Sequence, residues 1–283
     1  MRVFDPSELK NLYKRSELPE NGEITIIGGS DLFHGAPILS VKAASRVVDM
    51  VYFSSPEPSF SQLSLQLKSE LSSFVWVPWE EVSSYIKKSD AVLIGPGMKR
   101  YRKEKETPYY AKAARGEVVE YDQDGTQTKF IVENLLRQFS DKRWVIDAGA
   151  LQVMDPKYIP EGAVLTPNKN EYGILFGEEK PEDVVRKYKC VLVVKGPVAY
   201  VYTSRETVEV RGGNNGLTKG GTGDVMAGVA VALIAKNEPF LAAASAAWVV
   251  KRAGDELYKK AGTVYNADDL AEKVSQILGE YLR

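Results

Sequence analysis

The feature that most constrains this chain is a glycine-rich stretch from Gly213 to Gly228, which reads GNNGLTKGGTGDVMAG. It lies between a strand-like run, Thr207 to Arg211, and an apolar helical run, Val225 to Ala235. Glycines without a Cβ allow the backbone to turn tightly and to bring its N–H groups close to a ligand. The glycines that would do so here are Gly220, Gly221 and Gly223.

A helix that begins at about Thr222 would direct its free N–H groups and the positive end of its dipole into this turn, which suits a phosphate. Asp224 places a carboxylate in the same turn. Two interpretations of Asp224 are open. It could cap the first helical turn, or it could act as the general base for a hydroxyl that attacks a phosphoryl group. The combination of glycines, a hydroxyl residue and an aspartate favours phosphoryl transfer.

Charge and composition exclude several other classes of function. The 283 residues include 37 Lys or Arg and 38 Asp or Glu, so no global basic field is available for nucleic acid or an anionic membrane. A single cysteine, Cys190, excludes an intrachain disulfide, and a single histidine, His34, excludes a multi-histidine metal site. No membrane-spanning run or signal-peptide pattern appears. We expect a cytoplasmic protein that binds neither nucleic acid nor membrane.

Strand and helix patterns alternate over most of the chain. This alternation predicts an α/β fold with three layers, in which helices cover both faces of a mostly parallel sheet. Two alternating runs, Ala199 to Tyr202 and Val208 to Val210, predict an antiparallel hairpin at a sheet edge. No linker is evident, so we predict one domain over residues 1–283, with residues 1–20 as a peripheral leader.

Glycine-rich or polar turns follow five of the predicted strands. Because turns at the carboxyl ends of parallel strands gather along one edge of a sheet, these turns predict a single large cleft. They begin at Gly28, Gly95, Asp147, Thr166 and Lys195.

Several polar residues in these turns have two possible roles. Asn168 and Glu171 lie on one face at the start of a helix. Glu171 could hold Mg²⁺ through water, or the pair could simply cap the helix. Lys195 could contact a nucleotide phosphate or be a solvated lysine, and Asp147 could be a magnesium-side carboxylate or a turn residue. The chain lacks a Walker A motif and a G-x-G-x-x-G fingerprint, which argues against a dinucleotide-binding Rossmann fold.

An ordered series of motifs resembles the NAD(P)H-hydrate dehydratases of the ribokinase-like superfamily. The resemblance spans about Ile26 to Leu278 and implies a ribokinase-like fold. The GGTGD turn at 220–224 is its most specific motif. The others, in chain order, are GGS at 28–30, GAP at 35–37, GPG at 95–97, D-A-x-A-L at 147–151, T-P-N-x-x-E at 166–171 and KG at 195–196.

The resemblance also implies a function. In that family ADP or ATP, with Mg²⁺, phosphorylates the hydroxyl of hydrated NADH or NADPH, and loss of phosphate restores the nicotinamide ring. By this resemblance Asp224 is the catalytic base and a substrate contact, and Ala36, Gly97 and Asn168 are further substrate contacts. A homo-oligomer is also expected. The predicted nucleotide-binding residues are Lys195, Gly196, Pro197, Val198, Ala199, Thr218, Gly220, Gly221, Thr222 and Gly223.

Two other functions are compatible with the same residues. The chain could be a ribokinase-like kinase of another small hydroxylated metabolite, such as a vitamin precursor or a sugar. It could also be a non-catalytic nucleotide-binding protein that retains the fold. ADP and ATP both remain candidate co-substrates, as do the hydrates of NADH and NADPH.

Overall fold

A computed structural model describes residues 1–18, 20–62, 71–101 and 123–282. These residues form one mostly parallel sheet of ten strands. In chain order the strands are β1 (Arg2–Val3), β2 (Glu23–Ile27), β3 (Met50–Ser54), β4 (Val75–Trp76), β5 (Ala91–Ile94), β6 (Arg143–Ile146), β7 (Val164–Leu165), β8 (Val191–Val194), β9 (Ala199–Tyr202) and β10 (Thr207–Val210).

The strand order across the sheet is β1-β10-β9-β8-β7-β6-β5-β2-β3-β4. Strand β9 pairs antiparallel with both β8 and β10, and the other neighbouring pairs among the described strands are parallel. The predicted antiparallel hairpin is therefore confirmed. Its position differs from the prediction, because β1 pairs parallel with β10 and forms the edge outside the hairpin.

Helices pack on both faces of the sheet. The α-helices of the described ranges are α1 (Gly35–Ala44), α2 (Val82–Lys88), α3 (Gln123–Gln138), α4 (Ala148–Leu151), α5 (Lys169–Phe176), α6 (Pro181–Tyr188), α7 (Thr222–Ile234), α8 (Pro239–Ala261) and α9 (Ala267–Tyr281). Helices α1, α7, α8 and α9 share one hydrophobic core with the sheet, and α2 to α6 share the other. The predicted three layers are confirmed.

The central strands read as continuous apolar runs because both of their faces are buried. In β5, Ala91 and Leu93 belong to one core, and Val92 and Ile94 belong to the other. This arrangement holds the strand ends in fixed positions along the cleft edge. None of the helices in the described ranges has the length and apolar character needed to cross a membrane.

The first residues of the chain are more integrated into the fold than a peripheral leader would be. Strand β1 extends the sheet, and a 3-10 helix, Pro6–Asn11, follows it with a capping box between Asp5 and Glu8. The side chains of Phe4, Leu9 and Leu12 are buried in the core that contains α8. The short helix that the sequence suggests at 109–115 lies outside the described residues.

Helices α1 and α7 approach each other closely, and this contact fixes the start of α7. A Cβ atom at Gly228 would lie 2.4 Å from the carbonyl oxygen of Ser40, so the approach requires glycine. The Ser40 hydroxyl donates a hydrogen bond to the carbonyl oxygen of Asp224 at 2.8 Å. The packing of α1 therefore positions the first turn of α7, where Asp224 lies.

We expect Gly228→Ala to destabilise the fold by about 1–3 kcal/mol, because the added methyl group meets backbone rather than a movable side chain. Gly279→Ala is the matched control, since Gly279 is also helical and its Cβ would meet nothing within 4 Å. That substitution should stabilise α9 by up to about 1 kcal/mol. Urea unfolding measures both variants, and a Gly228→Ala protein as stable as wild type would contradict the packing argument.

Candidate active site

The ends of three neighbouring strands bring together one lysine and two carboxylates. Lys195, after β8, places its Nζ 2.8 Å from Oδ1 of Asp147, which follows β6. The same Nζ lies 3.8 Å from Oε2 of Glu171, near the start of α5. The side chain of Asp147 is only 1% exposed, and the Thr166 hydroxyl donates a second hydrogen bond to its Oδ1 at 2.8 Å. Three of the five turns predicted to converge, those at Asp147, Thr166 and Lys195, therefore meet around Lys195.

The glycine-rich turn lies against this lysine. A Cβ atom at Gly223 would be 3.3 Å from the Nζ of Lys195, so the ammonium reaches the turn itself. Gly221 has φ of 91°, a left-handed conformation, and a Cβ there would lie 2.5 Å from a methyl carbon of Leu39. Both constraints favour glycine. Helix α7 begins at Thr222, as the sequence predicts.

Asp224 lies in the first turn of α7 and is largely buried. Its pKa is raised to about 7, chiefly by burial and also by the negative charges of Asp147 and Glu171, while Lys195 opposes the rise. A carboxylate whose pKa is close to neutral is suited to general base catalysis. The residue at the helix cap is Gly221, and no side chain in the described part of the chain caps α7. Asp224 lies two residues beyond the first helical residue, and its carboxylate accepts a hydrogen bond from its own backbone N–H in the first turn. Both interpretations of Asp224, a stabiliser of the helix start and a general base, are compatible with this geometry.

Asn168 and Glu171 do cap their helix. The Asn168 Oδ1 accepts hydrogen bonds from the N–H groups of Asn170 and Glu171, and Glu171 Oε2 accepts one from the N–H of Asn168. Burial raises the pKa of Glu171, and Lys195 opposes that rise. Glu171 therefore completes a capping box, one of the two roles that the sequence left open, and it also places negative charge beside Lys195.

The residues of this cluster fit a hydrated Mg²⁺ ion but not a directly coordinated one. No group of three His, Cys, Asp or Glu side chains within the described ranges is arranged to hold a metal ion. Three carboxylates nevertheless surround a single ammonium, and the raised pKa values of Glu171 and Asp224 reflect this excess of negative charge and the burial. Because Mg²⁺ keeps much of its water, an ion held through water and phosphate suits such a set.

Two of the four residues predicted to contact substrate, Ala36 and Gly97, lie in the segments that follow β2 and β5. Gly97 has φ of 72°, and its Cβ would lie 2.5 Å from the carbonyl oxygen of Phe33. Ala36 is in the first turn of α1, beside Pro37, whose Cδ would be 3.0 Å from the same Cβ. A cleft of about 140 Å³ opens next to this turn. Its lining includes Gly29, Ser30, Met98, Lys99, Gln127 and Thr128.

Some of the predicted nucleotide-binding side chains are engaged in local hydrogen bonds. The Thr222 hydroxyl donates to the carbonyl oxygens of Leu217 and Lys219, and the Thr218 hydroxyl donates to that of Asn215. Ala199 is buried at the start of β9. In this segment the backbone rather than these side chains is available to a ligand, in keeping with its glycine content.

Lys251 of α8 is a charged residue near this site that sequence reasoning missed. Its Nζ donates hydrogen bonds to the carbonyl oxygens of Gly196, Pro197 and Gly212. A lysine within a helical pattern is usually predicted to have a solvent-exposed side chain. The helical spacing does carry a signal, because it places Lys251 on the same face as Ala247 and Gly254, which are both buried.

Solved structures identify the class of fold. A ribokinase-like superfamily protein from Enterococcus faecalis superposes with a TM-score of 0.79 at 21% identity, over 99% of this chain and 96% of that one. The ADP/ATP-dependent NAD(P)H-hydrate dehydratase from Bacillus subtilis, co-crystallised with ATP and Mg²⁺, superposes with a TM-score of 0.76 at 18% identity, over 99% and 98% of the two chains. The fold is ribokinase-like.

The model of the NAD(P)H-hydrate dehydratase family matches residues 24–276, and the chain belongs to that family. A bifunctional NAD(P)H-hydrate repair enzyme of Methanocaldococcus jannaschii is 32% identical over 96% of this chain. The match covers 51% of that enzyme, so the chain spans about half the length of such bifunctional relatives. An ADP-dependent (S)-NAD(P)H-hydrate dehydratase of Cenarchaeum symbiosum is 27% identical over 100% of this chain and 96% of its own length.

The raised pKa of Asp224 predicts that Asp224→Asn stabilises the protein in a pH-dependent way. The unfolded side chain loses its proton at about pH 4, whereas the folded one loses it at about pH 7. Between these values the folded state binds more protons, so its stability falls as pH rises. The advantage of the Asn variant should therefore grow above pH 4 and level off above pH 7, at on the order of 4 kcal/mol, because each pKa unit is worth about 1.4 kcal/mol.

Chemical unfolding of wild type and variant at several pH values from acid to mildly alkaline measures this difference. Asp141→Asn, at an exposed turn, is the control and should give no such gain. An advantage of Asp224→Asn that does not change with pH would contradict the assignment of a raised pKa to this carboxyl.

Proposed function

We propose that this chain restores hydrated NADH or NADPH in a reaction that consumes ADP or ATP and requires Mg²⁺. The observation that supports this most directly is the position of Asp224. Its carboxylate, with a pKa raised to about 7, lies in the first turn of a helix whose start is lined by glycine and faces Lys195. The names of the relatives support the choice of substrate and nucleotide.

The first step of the proposed reaction is phosphoryl transfer. Asp224 accepts the proton of the hydrate hydroxyl while the hydroxyl oxygen attacks the terminal phosphorus of the nucleotide. The bond from that phosphorus to the bridging oxygen breaks, and the shortened nucleotide takes the electron pair. Lys195 and the free N–H groups at the start of α7 stabilise the negative charge that develops on the phosphoryl oxygens.

The second step is elimination. The carbon–oxygen bond to the new phosphate breaks, with the ring nitrogen lone pair assisting, and phosphate leaves with the bonding electrons. Loss of a proton from the neighbouring ring carbon re-forms the double bond. With ATP the balance is hydrate plus ATP to the reduced dinucleotide, ADP, phosphate and a proton. A kinase-type site suffices because phosphorylation converts hydroxide into a good leaving group.

Asp147 and Glu171 are the carboxylates that would hold Mg²⁺ through water. When bound, the ion would offset negative charge on the transferring phosphoryl group. On the substrate side we assign Ala36, Gly97, Asn168 and Asp224. On the nucleotide side we assign the turn at 195–199 and the segment from Thr218 to Gly223, which contribute mainly backbone groups.

We expect Asp224→Asn to lower kcat by about 100- to 10,000-fold, because a general base contributes about that much, while nucleotide binding is retained. The assay mixes protein, hydrated NADH or NADPH and Mg²⁺ with either ADP or ATP, and follows the return of reduced-nicotinamide absorbance. Asp141→Asn serves as the exposed control and should behave as wild type.

Three results would redirect the assignment. No return of absorbance with either nucleotide would remove the dehydratase function. Transfer of phosphate to another small hydroxylated metabolite would then indicate a kinase. Negligible turnover in both wild type and Asp224→Asn, with intact nucleotide binding, would indicate a non-catalytic nucleotide-binding protein.

A further inference from the structure

Lys251 is a buried charged group that the proposed reaction does not use. Its residue is only 8% exposed, and its Nζ donates to three backbone carbonyl oxygens, those of Gly196 at 3.1 Å, Pro197 at 2.7 Å and Gly212 at 2.9 Å. An ammonium has three N–H donors, so this arrangement uses all of them. Burial lowers the pKa of Lys251, an effect that Asp255 partly offsets. The three hydrogen bonds offset the cost of burying its charged form.

The three carbonyl groups belong to two segments that are separate in sequence. Gly196 and Pro197 form the turn after β8, and Gly212 lies after β10, directly before the glycine-rich stretch. Lys251 therefore connects the turn at 195–199 to the segment that leads into α7. Both segments are on the nucleotide side of the proposed site.

Asp255, one helical turn after Lys251, binds the same stretch as a hydrogen-bond acceptor, whereas Lys251 binds it as a donor. Its Oδ2 accepts a hydrogen bond from the N–H of Gly213 at 3.0 Å. The carbonyl of Gly212 and the N–H of Gly213 belong to one rigid peptide plane. Lys251 holds the oxygen of that plane and Asp255 holds its nitrogen, so its orientation is fixed at both ends.

The contact with the carbonyl oxygen of Pro197 similarly fixes the orientation of a peptide plane, which includes the N–H of Val198. In a trans peptide the N–H of Val198 points away from the carbonyl oxygen of Pro197, which Lys251 holds. Lys251 therefore directs the N–H of Val198 away from α8. Val198 is one of the residues assigned to the nucleotide side, where backbone N–H groups bind phosphate best when their orientation is fixed in advance.

The face of α8 that carries these residues also packs against the loop between them. Gly254 lies three residues after Lys251 on the same helical face. A Cβ atom at Gly254 would be 2.9 Å from Cδ2 of Leu217, in the 3-10 helix Asn215–Thr218. The loop after β10 therefore contacts α8 through the hydrogen bonds of Lys251 and Asp255 and through the packing of Leu217 against Gly254.

We propose that Lys251 is a positioning residue for the nucleotide, which holds the turn at 195–199 and the start of the glycine-rich stretch in the geometry that binds phosphate. Asp255 assists it by holding the Gly212–Gly213 peptide from the other side. This inference rests on the proposed function, which assigns to the nucleotide the turn at 195–199 and the segment from Thr218 to Gly223, into which Gly212 and Gly213 lead. It predicts an effect on nucleotide binding and little effect on hydrate binding.

The test compares Lys251→Met, Lys251→Arg and Asp255→Asn with wild type. Lys260→Met is the matched control, since Lys260 is an exposed lysine of the same helix. Titration calorimetry measures the Kd of Mg-ADP and Mg-ATP without hydrate, and steady-state kinetics give kcat and the KM of each substrate. Thermal unfolding gives the folded fraction at the assay temperature.

We expect Lys251→Met to raise the Kd and KM of the nucleotide by about tenfold, because three carbonyl groups lose their donor. The KM of the hydrate should change by less than about twofold, well under the tenfold that corresponds to 1.4 kcal/mol. Lys251→Arg keeps the charge and N–H donors and should recover part of the nucleotide affinity, whereas Lys260→Met should match wild type.

A merely structural role would give a different pattern. A loss of kcat in proportion to the unfolded fraction, with nucleotide Kd and KM unchanged, would overturn the proposal. If Lys251→Met does not fold, unchanged nucleotide Kd in both Lys251→Arg and Asp255→Asn would overturn it. A wild-type protein that binds nucleotide but does not restore the hydrate overturns the proposed function alone. Wild type that binds neither ADP nor ATP overturns both.

Discussion

The ammonium of Lys195 is the group on which the arrangement of this site depends. It lies between Asp147 and Glu171, and its charge lowers the pKa of Asp224 against the effect of burial. Without that positive charge, three carboxylates would share one largely buried region, and like charges so placed cannot all remain ionised. The positive charge of Lys195 therefore compensates the negative charges of Asp147 and Glu171, which follow β6 and β7, and of Asp224 in the first turn of α7.

Close backbone contacts make this balance possible. A Cβ atom at Gly95 would lie 1.8 Å from the carbonyl oxygen of Asp147, so the turn after β5 can approach β6 only as glycine. Ala148, directly after Asp147, has φ of 48°, which is uncommon for a residue with a side chain. Such backbone conformations persist where the surroundings enforce them, and they concentrate at functional sites. Asp147 therefore contacts both the turn after β5, through its carbonyl oxygen, and Lys195, through its side chain.

Much of this arrangement follows from the sequence, and the exceptions have a common cause. Apolar runs and their following turns predict the strands and the cleft, because parallel strands place their carboxyl ends along one edge. The two-residue strand β1 is too short for any periodic signal, and its pairing with β10 is a contact between distant parts of the chain. The roles of Glu171 and Lys251 depend likewise on tertiary neighbours, which local spacing does not specify.

The start of α7 differs from the starts of two other helices in a way that bears on ligand binding. Helices α5 and α9 satisfy their first N–H groups with capping boxes, formed by Asn168 with Glu171 and by Asn266 with Asp269. Helix α7 begins after Gly221 without a side-chain cap, as do α1, α2, α4, α6 and α8, but its start lies next to the ammonium of Lys195. The first N–H groups of a helix without a side-chain cap need water or a ligand to accept their hydrogen bonds. A phosphate group of the proposed nucleotide would accept them, and its negative charge would face both Lys195 and the positive end of the helix dipole.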